Sequence, residues 1–220
     1  LIDPFKPPAP APVWLDGPVG QIEARVDDGT AGLAPPAVGV ICHPHPLHGG
    51  TMQNKVVHTL ARSMQELGTP TVRFNFRGVG ASAGSYDGGA GEVDDALAVI
   101  AWARSRWQCE RLWLGGFSFG AAVALLAADA AAPDQLVTVA PPVPRMQLSL
   151  LRRPRSRWLI IQGDRDELVS IDAVRAWAGR FEPPPQMLVL EGAEHFFHGR
   201  LTELREGAVA FLARGGVAGT

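Results

Sequence analysis

A serine hydroxyl becomes a useful nucleophile only when a base takes its proton and a carboxylate holds that base in position. This chain contains all three residue types in informative surroundings. Ser118 lies in Gly116-Phe117-Ser118-Phe119-Gly120, a Gly-x-Ser-x-Gly pattern. Downstream, Asp164 and Asp166 lie in Gly163-Asp-Arg-Asp-Glu-Leu-Val169, and His195 lies in Glu194-His-Phe-Phe197. Acyl transfer through a serine is the chemistry such residues could perform, provided the fold brings them together. The glycines have a mechanical reason, because side chains at Gly116 and Gly120 would collide with neighbouring backbone at a cramped corner.

The elements around Ser118 fit that corner. Arg111-Leu-Trp-Leu precedes the pattern as an apolar strand, and Ala121-Ala-Val-Ala-Leu-Leu-Ala-Ala follows it as a stretch of helix formers. Strand, tight turn and helix form the context in which Gly-x-Ser-x-Gly reads as a nucleophile elbow, with a helix N-terminus behind Ser118. Apolar runs recur at Val38–Cys42, Thr71–Phe76, Leu112–Gly116, Leu136–Ala140, Trp158–Gln162 and Met187–Leu190. None alternates in polarity, as expected for strands buried on both faces. Helical periodicity separates them: Val56, Leu60, Met64 and Leu67; Val93, Leu97 and Ile100; Val174, Trp177 and Phe181; Leu201, Leu204, Ala208 and Phe211. The alternation predicts a mostly parallel central sheet with helices on both faces. Ahead of it, Val13-Trp-Leu and Gln21–Val26 flank Asp16-Gly17-Pro18 and predict an antiparallel hairpin. Both the Asp164/Asp166 segment and His195 fall just past a strand, where ligands gather in such sheets.

Taken together, these stretches resemble the α/β-hydrolase superfamily, and within it the small bacterial members with little or no lid. The resemblance runs from about residue 20 onward. It is carried by His43-Pro-His-Pro-Leu-His-Gly-Gly50, Arg77-Gly-Val-Gly-Ala-Ser82, the elbow at 116–120, the segment 163–169 and Glu194-His-Phe-Phe197. It implies Ser118 as nucleophile and His195 as base. The family's Gly-x-x-Asp-x-x-Val spacing maps the acid onto Asp166, which the residues alone do not separate from Asp164. The resemblance also implies an oxyanion hole, with the Phe119 N–H as one donor and a second donor in the loop 43–50. Proline has no N–H, so Pro44 and Pro46 are excluded and His45 and Leu47 remain. The family's usual His-Gly at this point is His43-Pro44 here.

Rival readings of the same residues are weaker. His43-x-His45-x-x-His48 has metal-cluster spacing, yet two prolines restrict the rings and Leu47 stands where an aspartate is wanted. The expectation is no metal and no cofactor, with the imidazoles packed beneath or lining a pocket. Gly78-x-Gly80 followed by Gly84 misses dinucleotide spacing by one. Residues 141–157 are the only room for a lid and are too short for a helical cap. Their arginines at 145, 152, 153, 155 and 157 read as a solvated loop, the sharper alternative being recognition of an anionic acyl or alcohol group.

Composition sets the frame. Of 220 residues, 46% are apolar and 19% charged, with a net charge of −2, which gives no general attraction to nucleic acid or anionic membrane. The longest apolar run, Phe119–Ala128, is far short of the roughly 18 to 20 residues that span a bilayer. Two cysteines, Cys42 and Cys109, make no framework, and a cytoplasmic location is expected. Five prolines in residues 1–12 predict an extended leader, followed by one domain over 13–220. The expected activity is hydrolysis of small or short-chain carboxylic esters through an acyl-enzyme, with a small-molecule ester as partner. A thioesterase or lactone hydrolase on the same residues, or a non-catalytic binding protein, are the alternatives. Oligomeric state is not readable.

Overall fold

The computed structural model describes residues 11–30, 36–143, 145, 146 and 148–215. The first ten residues of the proline-rich leader lie outside the described residues. In chain order the elements are β1 (Val13–Gly17), β2 (Gly20–Asp27), β3 (Val38–Cys42), α1 (Lys55–Gln65), β4 (Thr71–Phe74), α2 (Ala90–Trp107), β5 (Leu112–Phe117), α3 (Phe119–Ala131), β6 (Gln135–Val139), β7 (Arg157–Gly163), α4 (Ile171–Ala178), β8 (Gln186–Leu190) and α5 (Leu201–Ala213). Single turns of 3-10 helix occupy Pro46–His48 and Leu148–Leu150.

Eight strands form one sheet in the order β1-β2-β4-β3-β5-β6-β7-β8. The hairpin pairs antiparallel, and β2 pairs antiparallel with β4. Every pairing from β4 to β8 is parallel. Side chains along each central strand alternate in destination although not in polarity. Leu112, Leu114, Leu136, Trp158 and Ile160 join one core cluster, which also takes Ala96, Val123 and Val174 from α2, α3 and α4. Trp113, Val137, Leu159 and Ile161 join the other, with Leu60 of α1 and Leu204 of α5. That is why the strand sequences read as unbroken apolar runs.

Two expectations need adjustment. The strand within the run Thr71–Phe76 ends at Phe74: Asn75 N–H still donates to Glu23 O of β2, but Phe76 N–H turns to the His43 ring. In α2 the buried residues are Gly91, Glu92, Asp95, Ala96, Val99, Ile100 and Ala103, while Val93 and Leu97 are partly buried and pack against the core. The buried face is wider than the apolar periodicity of Val93, Leu97 and Ile100 because polar residues also take buried positions, for structural reasons. Glu92 accepts from the Asp87 and Gly89 N–H groups and so caps the helix start. Asp95, fully buried, receives Arg77 Nε and Nη2 and the Arg77 backbone N–H. A Cβ on Gly91 would lie 2.0 Å from Arg77 Nη1, so glycine makes room for that guanidinium.

These contacts explain Arg77–Ser82 as a turn. Gly78 N–H donates to Ala83 O, and Ser82 Oγ bridges Glu23 N–H and Asn75 O. The pair also anchors the segment that carries Tyr86. Removing one member of a buried ion pair leaves the other uncompensated. Asp95→Ala is therefore expected to lower unfolding stability by about 3–5 kcal/mol, read as a shift in urea midpoint. An Arg77→Met/Asp95→Leu double variant should lose less than Asp95→Ala alone.

Candidate active site

In a parallel sheet all strands point one way, so the residues that follow them collect at one edge. Ser118 leaves β5 there with φ 53° and ψ −118°, a left-handed conformation uncommon outside glycine. Its N–H donates to Val139 O at the end of β6, and its C=O accepts from Ala121 and Ala122 at the start of α3. The flanking glycines are required by close approach. A Cβ at Gly116 would sit 2.1 Å from Gly120 O, and one at Gly120 would sit 2.3 Å from Cys42 O. The elbow is thereby pressed onto the end of β3.

The carboxylate that meets His195 comes from the segment after β7. Asp166 Oδ1 accepts the N–H groups of Leu168 (2.9 Å) and Val169 (2.7 Å). Its Oδ2 accepts Gln162 Nε2 (2.9 Å) and stands 2.8 Å from His195 Nδ1. Burial by itself would raise the Asp166 carboxyl, but hydrogen bonding and charge from His195 and the two backbone donors outweigh it, holding it below the usual carboxylate range. A carboxylate partner assigns the proton of the neutral ring to Nδ1, leaving Nε2 to accept from Ser118 Oγ at 3.1 Å. His195 is buried, with Phe117 and Phe196 against its ring. Asp164 has a different job: its Oδ1 accepts Gly192 N–H at 2.6 Å and joins the segments after β7 and β8. Glu167 adds a second tie, accepting the His195 backbone N–H at 3.2 Å.

The histidine-rich segment divides its three rings. His43 is buried and donates Nδ1–H to Pro44 O at 2.6 Å, while its Nε2 accepts Phe76 N–H at 3.0 Å. It braces the segment from beneath. His45 and His48 stack at 4.4 Å and line a cavity of about 380 Å³ that also holds Ser118, His195, Tyr86 and Phe119. Among the described residues, no group of three or more His, Cys, Asp or Glu has the arrangement to hold a metal ion. Leu47 N–H is engaged by His45 Nδ1 at 3.2 Å, and the Leu47 side chain is 67% exposed. The N–H groups of His45 and Phe119 have no acceptor among the described residues.

Gln162, Glu167 and Tyr86 were not singled out from the sequence. Gln162 carries the one available signal, a polar residue closing an apolar run immediately before Gly163. The arginines scatter for a topological reason. The chain leaves β6 at the active edge and must cross to the far edge to begin parallel β7. Only Arg145, near the start of that path, lines the cavity. Arg152 and Arg153 line a separate groove with Leu125, Leu126 and Asp129, and Arg153 donates to Pro183 O and Pro154 O. Arg157 opens β7, donating to Gln135 Oε1.

The buried His43 makes stability depend on pH. Burial lowers its pKa from 6.5 to about 4, against a smaller opposing effect of the Pro44 carbonyl. The unfolded chain therefore binds a proton at a pH where the folded chain does not. The stability held above pH 6.5 falls as the pH drops toward about 4, by up to roughly 3 kcal/mol. Thermal unfolding between pH 7 and 4 should show a shallower acid slope in His43→Gln than in the wild type.

The comparisons agree with this architecture. Residues 40–208 match the family model described as an alpha/beta hydrolase domain. An alpha-beta serine hydrolase homologue from Coxiella burnetii is 49% identical with a TM-score of 0.88, covering 92% of this chain and 97% of its own. A lidless serine hydrolase structure from Xanthomonas campestris is 43% identical with a TM-score of 0.89, covering 99% and 100%. An uncharacterized protein of Rickettsia prowazekii (strain Madrid E) is 33% identical over 210 residues, 91% of this chain and 87% of that one. With its Gly-x-Ser-x-Gly corner, its mostly parallel eight-stranded sheet and its match over residues 40–208, the chain belongs to the alpha/beta hydrolase family, among relatives without a lid.

Proposed function

We propose that this hydrolase is a serine esterase that cleaves small or short-chain carboxylic esters through an acyl-enzyme. The observation that carries the reading is the unbroken relay from Ser118 Oγ through His195 to Asp166, opening on a cavity beside two backbone N–H groups without acceptors among the described residues. Ser118 Oγ attacks the ester carbonyl while His195 Nε2 takes its proton. Asp166 holds the ring and stabilises the imidazolium that forms. The oxyanion is received by the N–H groups of Phe119 and His45, donors worth about 2.7–4 kcal/mol each in comparable sites. His195 then passes its proton to the departing alkoxide, leaving the acyl group on Ser118. Water attacks that acyl carbon with His195 again as base, and the carboxylic acid departs as Ser118 regains its proton.

The choice of His45 over Leu47 follows from the hydrogen bonds, since the Leu47 N–H already has an acceptor in His45 Nδ1. Asp166 takes the acid role because its carboxylate meets His195, whereas that of Asp164 meets Gly192. A cavity of about 380 Å³ without a cap suits small soluble esters. We take residues 13–220 to act as one unit on a small-molecule ester in the cytoplasm, engaging neither nucleic acid nor membrane. Among the described residues no helix is long and apolar enough to cross a bilayer.

The test is hydrolysis of p-nitrophenyl esters from C2 to C12. Activity should be highest on the short chains and insensitive to chelator. Ser118→Ala should abolish it, and Asp166→Asn should lower kcat by about 10³–10⁴-fold, while Asp164→Asn keeps most of it. Turnover that survives Ser118→Ala, or no labelling of Ser118 by a fluorophosphonate, would overturn the assignment.

A further inference from the structure

The relay accounts for Ser118, His195 and Asp166 but not for the charge on the cavity wall. Among the described residues, Arg145 is the only arginine, lysine or carboxylate residue lining the cavity. Its guanidinium has no hydrogen bond or ion pair to any described residue. Its backbone is fixed all the same: Arg145 N–H donates to Pro142 O at 2.8 Å, and Pro141 and Pro142 restrict the approach. Met146, next in the chain, packs against Gly89, where a Cβ would lie 2.7 Å from Met146 Cε. The cation is therefore presented from a pinned turn.

A second donor faces the same space. His45 Nδ1 accepts Leu47 N–H, so in the neutral ring the proton lies on Nε2 and is shared with Tyr86 Oη at 3.4 Å. Burial, and then the positive fields of His48 and Arg145, hold His45 below its ordinary pKa and favour that neutral form. With its oxygen accepting from His45, Tyr86 retains its own O–H for a ligand. The rings of Tyr86, His45 and Phe119 lie within 5.0–5.8 Å of one another and make one wall of the cavity. A guanidinium and a phenol O–H beside an aromatic wall, with no acidic side chain lining the cavity, match a carboxylate on a planar or apolar body.

We propose that Arg145, with the Tyr86 hydroxyl, forms a carboxylate-binding subsite, so that the preferred substrates are esters carrying a carboxylate away from the scissile bond. The inference rests on the esterase reading and deepens it.

Two matched substrate pairs test it. The first pair is 4-acetoxybenzoate and its neutral analogue 4-acetoxybenzamide, with the charge on the leaving group. The second is monomethyl adipate and the corresponding adipic monoamide methyl ester, with the charge on the acyl side. In the wild type, kcat/KM should favour the charged member of at least one pair by roughly tenfold at low ionic strength, the size expected of one charge-assisted hydrogen bond. That ratio should shrink in 1 M NaCl. It should fall to about one in Arg145→Gln and be kept in part by Arg145→Lys, on the strength of electrostatic attraction alone. Circular dichroism of each variant establishes that it is folded, and the salt response of the wild type gives an independent reading. Ser118-dependent turnover of both members with no charge preference, or a preference that Arg145→Gln leaves intact, would overturn the subsite and leave the esterase reading standing. Absence of Ser118-dependent turnover on any of the four esters would overturn both.

Discussion

Four hydrogen-bond donors meet at the Asp166 carboxylate, and the geometry of the site depends on that meeting. Two donors are backbone N–H groups of its own turn, one is an amide from the preceding strand, and one is the His195 ring. Each oxygen accepts two, which uses the lone-pair capacity of an ionised carboxylate. A buried carboxylate with fewer partners would drift toward its protonated form and release the ring. Gln162 matters here because its Nε2 reaches both Asp166 and the Val169 carbonyl, so a strand side chain sets the turn that carries the acid. The partner oxygen, Gln162 Oε1, is buried and without a hydrogen bond among the described residues. That cost is tolerable where the amide's other end orients a charge.

The remaining supports are steric. Gly120 abuts the Cys42 carbonyl, and Gly163 abuts the Ala193 carbonyl, where a Cβ would lie 2.2 Å away. These contacts hold the end of β3 against the elbow and the segment after β7 against the one after β8. Four chain segments far apart in sequence are thereby set, in two pairs, at backbone contact distance, and rotamers do the rest. His43 performs the equivalent task for the histidine-rich segment by joining it to Phe76.

Much of this was legible in the residues. Parallel strands buried on both faces wrote themselves as apolar runs, and the elbow glycines marked a corner that backbone sterics demand. The hairpin was visible in its alternation. Legibility ended where a polar residue acts through a partner distant in the chain. The partnership of Asp95 with Arg77 and the capping by Glu92 placed acidic residues on the buried face of α2, beside Ile100, where periodicity offers only Val93, Leu97 and Ile100. The partner of His195 needed the family spacing to separate Asp166 from Asp164, since both follow the same strand. His45 and Leu47 could not be separated either, because what distinguishes them is an acceptor nitrogen folded back over one N–H. The arginines misled for a directional reason: a segment returning between parallel strands keeps only its first residues near the active edge.

The absence of a cap has a chemical consequence for the proposed acyl-enzyme. Enclosed sites can withhold water and choose which nucleophile meets a reactive intermediate. Here the acyl group on Ser118 would face a cavity that Pro142, Arg145 and Met146 border on one side. Its fate would follow the concentrations of water and competing alcohols or amines in the surroundings, tempered by the fit of each to the aromatic wall. Such a protein is built to hydrolyse in dilute aqueous solution. Any transfer of its acyl groups to other acceptors would be governed by the medium more than by the fold.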